Sequence, residues 1–299
     1  MLKREFVEAV VEAVKALLPE MNVESREIIK NNDVVLNGIL IKKGNEEIVP
    51  TIYIENYIKD GYTTSDYINN INRIASEIVD TYKNYNTEVD VSNVKELVKD
   101  FSKAAPLLRI KLVNKENNKK TFETVPYLPF LDMAIIVVIE LQHNKQGCAT
   151  IKVTHDMLQH WNYVAISDIL PIARENTFRT PYVLQSMAEI MAELMGLSKE
   201  IFEAEMQFPM NVLTNKTKLN GATEICNYST MKEIAEQFQS DLIVLPSSIH
   251  EVIIVPKIDD MNIEDLTNMV KEVNESEVAE DEVLSDHAYV FTRENGWDF

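Results

Sequence analysis

The residue types best suited to chemistry gather late in the chain: Ser247, Ser248, His250 and Glu251, with Asp286 and His287 further on. A hydroxyl nucleophile needs a base within hydrogen-bond reach, and a carboxylate usually orients that base. Ser247, His250 and Asp286 supply one group of each kind, with Ser248 and His287 as alternates, so a hydrolase of small molecules or peptides is one reading. No GxSxG elbow exposes either serine. Ser248 and His250, two apart on an extended segment, can point the same way without touching. The competing reading is structural. Pro246-Ser247-Ser248 turns the chain between two apolar strands, the hydroxyls satisfy loose backbone groups, and His250 bonds a neighbouring strand or loop. The structural reading is preferred here, and Asn215, in Thr214-Asn215-Lys216, is read likewise as a turn residue before a ligand contact.

Other chemistries find less support. Phosphate-cradling loops need closely spaced glycines, whereas the seven glycines, at 38, 44, 61, 147, 196, 221 and 296, form neither GxGxxG nor GxxxxGK[ST]. A zincin needs two histidines one helical turn apart, but His155 and His160 are five apart, which turns them about 140° from each other on a helix. Cys148 and Cys226 have no CxxC spacing and read as packed thiols. Neither a metal nor a cofactor is expected.

The formal charge is −19, from 29 Lys+Arg against 48 Asp+Glu. Much of it is local: Asp259 to Asp286 holds eleven acidic residues and one basic residue, Lys271. Such a surface repels phosphate, so direct binding of nucleic acid or an anionic membrane is not expected. A basic protein partner is the complementary expectation, and an acidic mimic of nucleic acid is a third reading of the same charge. The unbroken apolar run from Met133 to Ile139 is far shorter than the roughly 20 residues of a membrane helix. With no apolar export segment after Met1-Leu2-Lys3-Arg4-Glu5 and only two cysteines, a cytoplasmic location is expected.

The elements that must position these residues follow from periodicity. Phe6, Val7, Val10, Val11, Val14, Leu17 and Leu18 recur at helical spacing up to Pro19. Strands are predicted at Ser25–Lys30, Val34–Lys42 and Glu47–Ile54. A capping box at Thr63 and Asp66 then opens a helix striped by Tyr67, Ile71, Ile74, Ile78 and Tyr82. A shorter helix is predicted over Val91–Phe101, before a break at Ala104-Ala105-Pro106. Strands follow at Leu107–Val113, Thr121–Val125, Leu131–Leu141 and Ala149–Val153. From His155 to Glu205 the signal is helical, divided by Pro171, Pro181 and Gly196, with Met187, Ile190, Met191 and Leu194 read as an ordinary core stripe. The last section alternates strands at Met210–Thr214, Ala222–Cys226, Leu242–Leu245, Glu251–Val255 and His287–Thr292 with helices from Met231 and Ile263. Thr230 and Asn262 are the predicted caps of those two helices.

The segments Val125–Asp132, Val212–Lys216, Leu245–Glu251 and Leu284–Tyr289 resemble a bacterial family, common in clostridial gut anaerobes and catalogued only as a domain of unknown function. The resemblance spans nearly the whole chain, most distinctively around Pro246 to Glu251. It implies a cytoplasmic bacterial protein and carries no activity or site residues.

The fold class expected is α+β, with mixed or mainly antiparallel sheets covered by helices in two to three packed subdomains; in the last section the alternating pieces favour helices on one side of the sheet. The expected divisions are 1–105, 106–205 and 206–299. The preferred function is a non-enzymatic binding or accessory protein with an acidic C-terminal surface. The alternatives are the Ser247/His250/Asp286 hydrolase and the nucleic-acid mimic.

Overall fold

The computed structural model describes residues 4–44, 49, 51–59, 63–84, 94–144, 147–206, 208–259 and 261–298. Two compact units divide the chain, Met1–Ser92 and Asn93–Phe299. The predicted breaks at 105/106 and 205/206 therefore both fall inside the second unit.

In the first unit α1 (Arg4–Leu17) turns Phe6, Val7, Val10, Val11 and Val14 inward, as its spacing predicts. Strands β1 (Asn22–Ile29), β2 (Val35–Lys42) and β3 (Thr51–Tyr53) form an antiparallel meander. Part of the third predicted strand, residues 47, 48 and 50, lies outside the described residues. Helix α2 (Thr64–Asn84) opens on the predicted capping box: Thr63 Oγ1 accepts from the Asp66 N–H at 3.3 Å, and Asp66 Oδ2 accepts from the Thr63 N–H at 2.8 Å. Its Ile74, Ala75, Ile78 and Val79 complete a core with α1 and Val23, Ile39, Ile41 and Ile52 of the sheet.

The second unit begins with α3 (Val94–Lys99) and α4 (Phe101–Ala104); residues 91–93 of the helix predicted there lie outside the described residues. One antiparallel sheet joins β4 (Leu108–Asn114), β5 (Leu128–Phe130), β6 (Met133–Asn144) and β7 (Gly147–Lys152), with the apolar run Met133–Ile139 at its centre. Helices α5 (His155–His160) and α6 (Ile166–Phe178) follow, and α6 continues through Pro171 instead of breaking there. A six-stranded antiparallel sheet joins β8 (Tyr182–Ser186), β9 (Asn211–Asn215), β10 (Leu242–Leu245), β11 (Val252–Pro256), β12 (Tyr289–Thr292) and β13 (Gly296–Trp297) in the order β13-β12-β10-β11-β9-β8. Between β8 and β9 the chain makes the helical hairpin α7 (Met187–Met195) and α8 (Lys199–Glu205). Helix α9 (Tyr228–Phe238) precedes β10, and α10 (Ile263–Ser276) follows β11.

All of these pairings are antiparallel, and the α+β class holds. The predicted one-sided covering does not. Alternate residues of β10 serve two cores: Leu242 and Val244 join Met231 and Ile234 of α9, while Ile243 and Leu245 join Leu266 and Val270 of α10. Since period 2 sends successive side chains to opposite faces, a strand buried throughout needs cover on both. The pairing of β8 with β9 also places residues 106–205 and 206–299 in one sheet.

Four local expectations are corrected. Thr121–Glu123 is a 3-10 turn, not a strand: the Glu123 N–H donates to the Lys120 carbonyl and the Thr124 N–H to the Thr121 carbonyl, both at 3.2 Å. Gly221–Cys226 is a wholly buried 3-10 helix rather than a strand. Thr230 does not cap α9; it lies buried inside it, after Asn227. Leu194, expected in a core stripe, is 78% exposed. By contrast, Asn262 caps α10 as predicted, its side chain accepting from the Glu264 N–H at 3.0 Å.

Candidate functional site

The turn from β10 to β11 carries Pro246-Ser247-Ser248-Ile249-His250. Its backbone pairs with the segment before β12: the Leu284 N–H donates to the Ser247 carbonyl at 2.9 Å, Ser285 N–H to the Pro246 carbonyl at 3.0 Å, and Ile249 N–H to the Glu282 carbonyl at 2.9 Å. Ser248 Oγ accepts from the His250 N–H at 3.0 Å, a serine closing its own turn. The imidazole is held at both nitrogens. Nδ1 accepts from the Asn220 N–H at 3.2 Å, so in the neutral ring Nε2 carries the proton and faces Glu282 Oε1 at 3.3 Å. The His250 carbonyl accepts from Thr214 Oγ1 at 2.8 Å, which ties the turn to β9.

Gly221 makes this closeness possible. A Cβ there would fall onto Thr214 Oγ1 and within 2.6 Å of the His250 carbonyl oxygen and 2.8 Å of the Asn215 N. Asn215 itself is a turn residue: its Oδ1 accepts from the Thr217 N–H at 3.0 Å and hydroxyl at 2.7 Å, and its Nδ2 donates to the Leu219 carbonyl at 2.9 Å. Beyond Gly221 lies Glu224, only 3% exposed, whose carboxyl is pushed up to about 7 by burial. Burial also pushes the nearby Cys226 thiol up to about 12, which leaves it protonated and poorly nucleophilic.

His287 belongs to a different constellation. Its Nδ1 lies 2.6 Å from Oδ2 of Asp132, a residue at the turn between β5 and β6 where Leu131 adopts a φ of 54°. The Tyr289 hydroxyl donates to Asp132 Oδ1. Because that proton is committed, the 2.7 Å contact between Ser285 Oγ and the Tyr289 oxygen runs from serine to tyrosine, and Ser285 Oγ also accepts from the His287 N–H at 3.1 Å. Burial and the Asp132 carboxylate both push the phenol of Tyr289 well above its ordinary range. Asp286 points elsewhere, accepting from Asn274 Nδ2 at 2.7 Å; the same nitrogen donates to the Ser285 carbonyl at 2.9 Å.

The five sequence candidates are thus neighbours along the backbone with separate side-chain partners. Among the described residues no hydrogen bond joins a Ser247 or Ser248 hydroxyl to the ring of His250 or His287, and none joins Asp286 to either ring. An open cleft of about 150 Å³ lies nearby, lined by Arg109, Glu140, Thr177, Asn215 and Asn220 among others. None of the five candidates lines it. No group of three or more His, Cys, Asp or Glu that could hold a metal ion occurs among the described residues. No helix there is long and apolar enough to cross a membrane.

Sequence reasoning missed Asp132, Tyr289 and Glu224 as site residues. Asp132 and Tyr289 do lie within the segments quoted for the family resemblance, and all four of those segments meet here. Thr214 bonds the His250 carbonyl, Pro246 and Ser247 bond the chain at Leu284 and Ser285, and Asp132 bonds His287 and Tyr289. The protein is therefore an α+β protein with a polar junction between its two larger sheets. The chain belongs to a family of unknown function, DUF5688, which matches residues 3–293. No curated protein and no solved structure matches it.

Proposed function

We propose that the protein is a non-enzymatic binding or accessory protein of the cytoplasm of clostridial bacteria, and that its acidic C-terminal face receives a basic protein partner. The observation that carries this reading is α10. It exposes Glu264, Asp265, Glu272 and Glu275 beside one exposed lysine, Lys271, and Glu277 is exposed just past its end. Carboxylates near the helix C-terminus run against the helix dipole, so Glu272, Glu275 and Glu277 are a local cost that a cationic partner would relieve. The hydrolase reading is weakened by His250, whose two ring nitrogens are both engaged, and by the separate partner of Asp286.

The test is affinity capture from the native host with the parent chain and the triple variant Glu264→Lys/Glu272→Lys/Glu275→Lys, once equal melting temperatures are established. A Lys/Arg-rich protein enriched by the parent, lost by the variant and retained by the control Glu8→Lys/Glu12→Lys is expected. Equal loss in the control would reduce the effect to net charge and overturn the reading. Labelling of Ser247 or Ser248 by a serine-directed fluorophosphonate would replace it with the hydrolase.

A further inference from the structure

The least expected surface of the second unit is the tip of the α7–α8 hairpin. Helix α7 ends at Gly196, in the left-handed region at φ 64°, and the Leu197 N–H reaches back to the Ala192 carbonyl at 3.2 Å. Around this turn Leu194 is 78% exposed, Met195 60%, Leu197 49% and Ile201 46%. In these two helices only Ala188 and Phe202 are buried, while Met187, Ile190 and Met191 are half-buried. Scattered apolar residues on a surface need no explanation, but four large ones within eight positions of one turn concentrate exposed apolar surface of the kind that marks an interaction site. Unbranched methionines along its flank suit a surface that adapts to its occupant.

The rim identifies the occupant. Glu189, Glu193, Glu200, Glu203 and Glu205 surround the patch with a single cation, Lys199, which lies 4.0 Å from Glu189 and 3.6 Å from Glu203. Glu200 accepts from the Ser198 hydroxyl at 2.5 Å and lies within the field of Lys199, whereas among the described residues no ion pair holds Glu193 or Glu205. A second copy of this chain would bring the same carboxylates and a net charge of −19 against them. Self-association through this face is thus opposed by charge.

We propose that the α7–α8 tip is the docking site for a cationic amphipathic helix, which lays its apolar face on Leu194, Met195, Leu197 and Ile201 and its Lys/Arg residues against Glu193, Glu200 and Glu205. This rests on the cationic partner of the preceding reading and adds an apolar anchor, on α7 and α8, to the charge of α10. Recognition is of the helix-on-surface kind, with apolar anchors at helical spacing and flanking charges fixing orientation.

The probe is a synthetic peptide of about 20 residues with leucine at i, i+3, i+4 and i+7 and lysine elsewhere, long enough to be helical when bound. Isothermal titration with the full chain is expected to show binding at least about tenfold tighter than that of a composition-matched peptide without helical periodicity. Leu194→Ser/Ile201→Ser alters exposed positions and should keep the parent melting temperature while weakening the periodic peptide by about tenfold or more. Equal affinity for both peptides, or no effect of the double variant, would overturn the docking site and leave the acidic-face reading standing. If the α10 triple variant alone abolishes binding, the anchor lies on α10 and this inference fails. Sedimentation showing a dimer that Leu194→Ser/Ile201→Ser dissociates would make a second copy the occupant and also overturn it.

Discussion

The Asp132 carboxylate accepts the Nδ1–H of His287 at 2.6 Å, a contact that joins the tight turn after β5 to the chain entering β12 across 155 residues of sequence. The pair is half-open, with side-chain exposures of 43% for Asp132 and 56% for His287. Water therefore screens it, and its direct worth is that of a surface ion pair, under about 1 kcal/mol. Tyr289 is less exposed than either of them. Its hydroxyl is held between Ser285 and Asp132, so its loss removes one hydrogen bond from each, while Asp132 keeps the His287 ring and Ser285 keeps the His287 N–H. Tyr289→Phe is expected to cost about 1–2 kcal/mol and His287→Ala less than about 1 kcal/mol. Urea denaturation of the two variants gives the order, and a larger loss for His287→Ala would place the anchor on the imidazole.

The β10–β11 turn yields a second expectation. His250→Ala leaves the Asn220 N–H without its acceptor and Glu282 without its donor, at a cost of about 1–3 kcal/mol. Ser248→Ala loses one acceptor of a backbone N–H, at about 1 kcal/mol. Both variants should retain partner capture at temperatures where they remain folded. Unchanged melting with capture abolished would move His250 from the scaffold to the binding surface.

Gly221→Ala should be costlier than its single methyl suggests. The added carbon meets the His250 carbonyl, which the Thr214 hydroxyl holds, and the Asn215 N–H of strand β9, backbone atoms that cannot rotate aside as a side chain can. An overpacking loss of about 1–3 kcal/mol is expected. A melting temperature equal to the parent's would mean that the junction is loose enough to yield.

The first unit offers a simpler test. Ile74 is fully buried in α2 and shares a core with Val10 and Val14 of α1 and Ile39 and Ile41 of β2. Ile74→Ala should cost about 2–5 kcal/mol, the range for large-to-small changes in a packed core. A loss below about half a kcal/mol would show that the two helices close over the missing methyls.

That stripe was legible because helical periodicity is written into neighbouring residues, as are the Asn262 cap and the apolar run that became the centre of β6. Elements were missed where distant residues decide them. Tyr182–Ser186 sits in a stretch of helical signal, yet it is a strand because β9 supplies its pairing partners. Ala222–Cys226 has strand-like composition, but left-handed Asn220 and the close approach at Gly221 wind it into a 3-10 helix. Leu194 shares the periodicity of a core stripe, and nothing local records that the tip of α7 leaves it exposed. The site was half-read for the same reason. Ser248 and His250 stood out by proximity, whereas the true carboxylate partner of His287 lies 155 residues upstream.

Glu224 supplies the last expectation, a dependence of stability on pH. In the unfolded chain its carboxyl titrates at its ordinary value of 4.5, while in the buried 3-10 segment it holds its proton up to about 7. Between those values the native state binds more protons than the unfolded state. Stability should therefore fall as pH rises through this window and level off above it, by a contribution on the order of 3 kcal/mol. The sign is opposite to that of a carboxylate stabilised by a salt bridge, because burial favours the neutral form and no cation offsets it. Glu224→Gln replaces the neutral acid with a neutral amide of similar shape. It should be close to the parent in stability near pH 5 and more stable than the parent near pH 8. Paired urea melts across that range read the difference directly, and identical slopes for parent and variant would show that Glu224 ionises as if exposed.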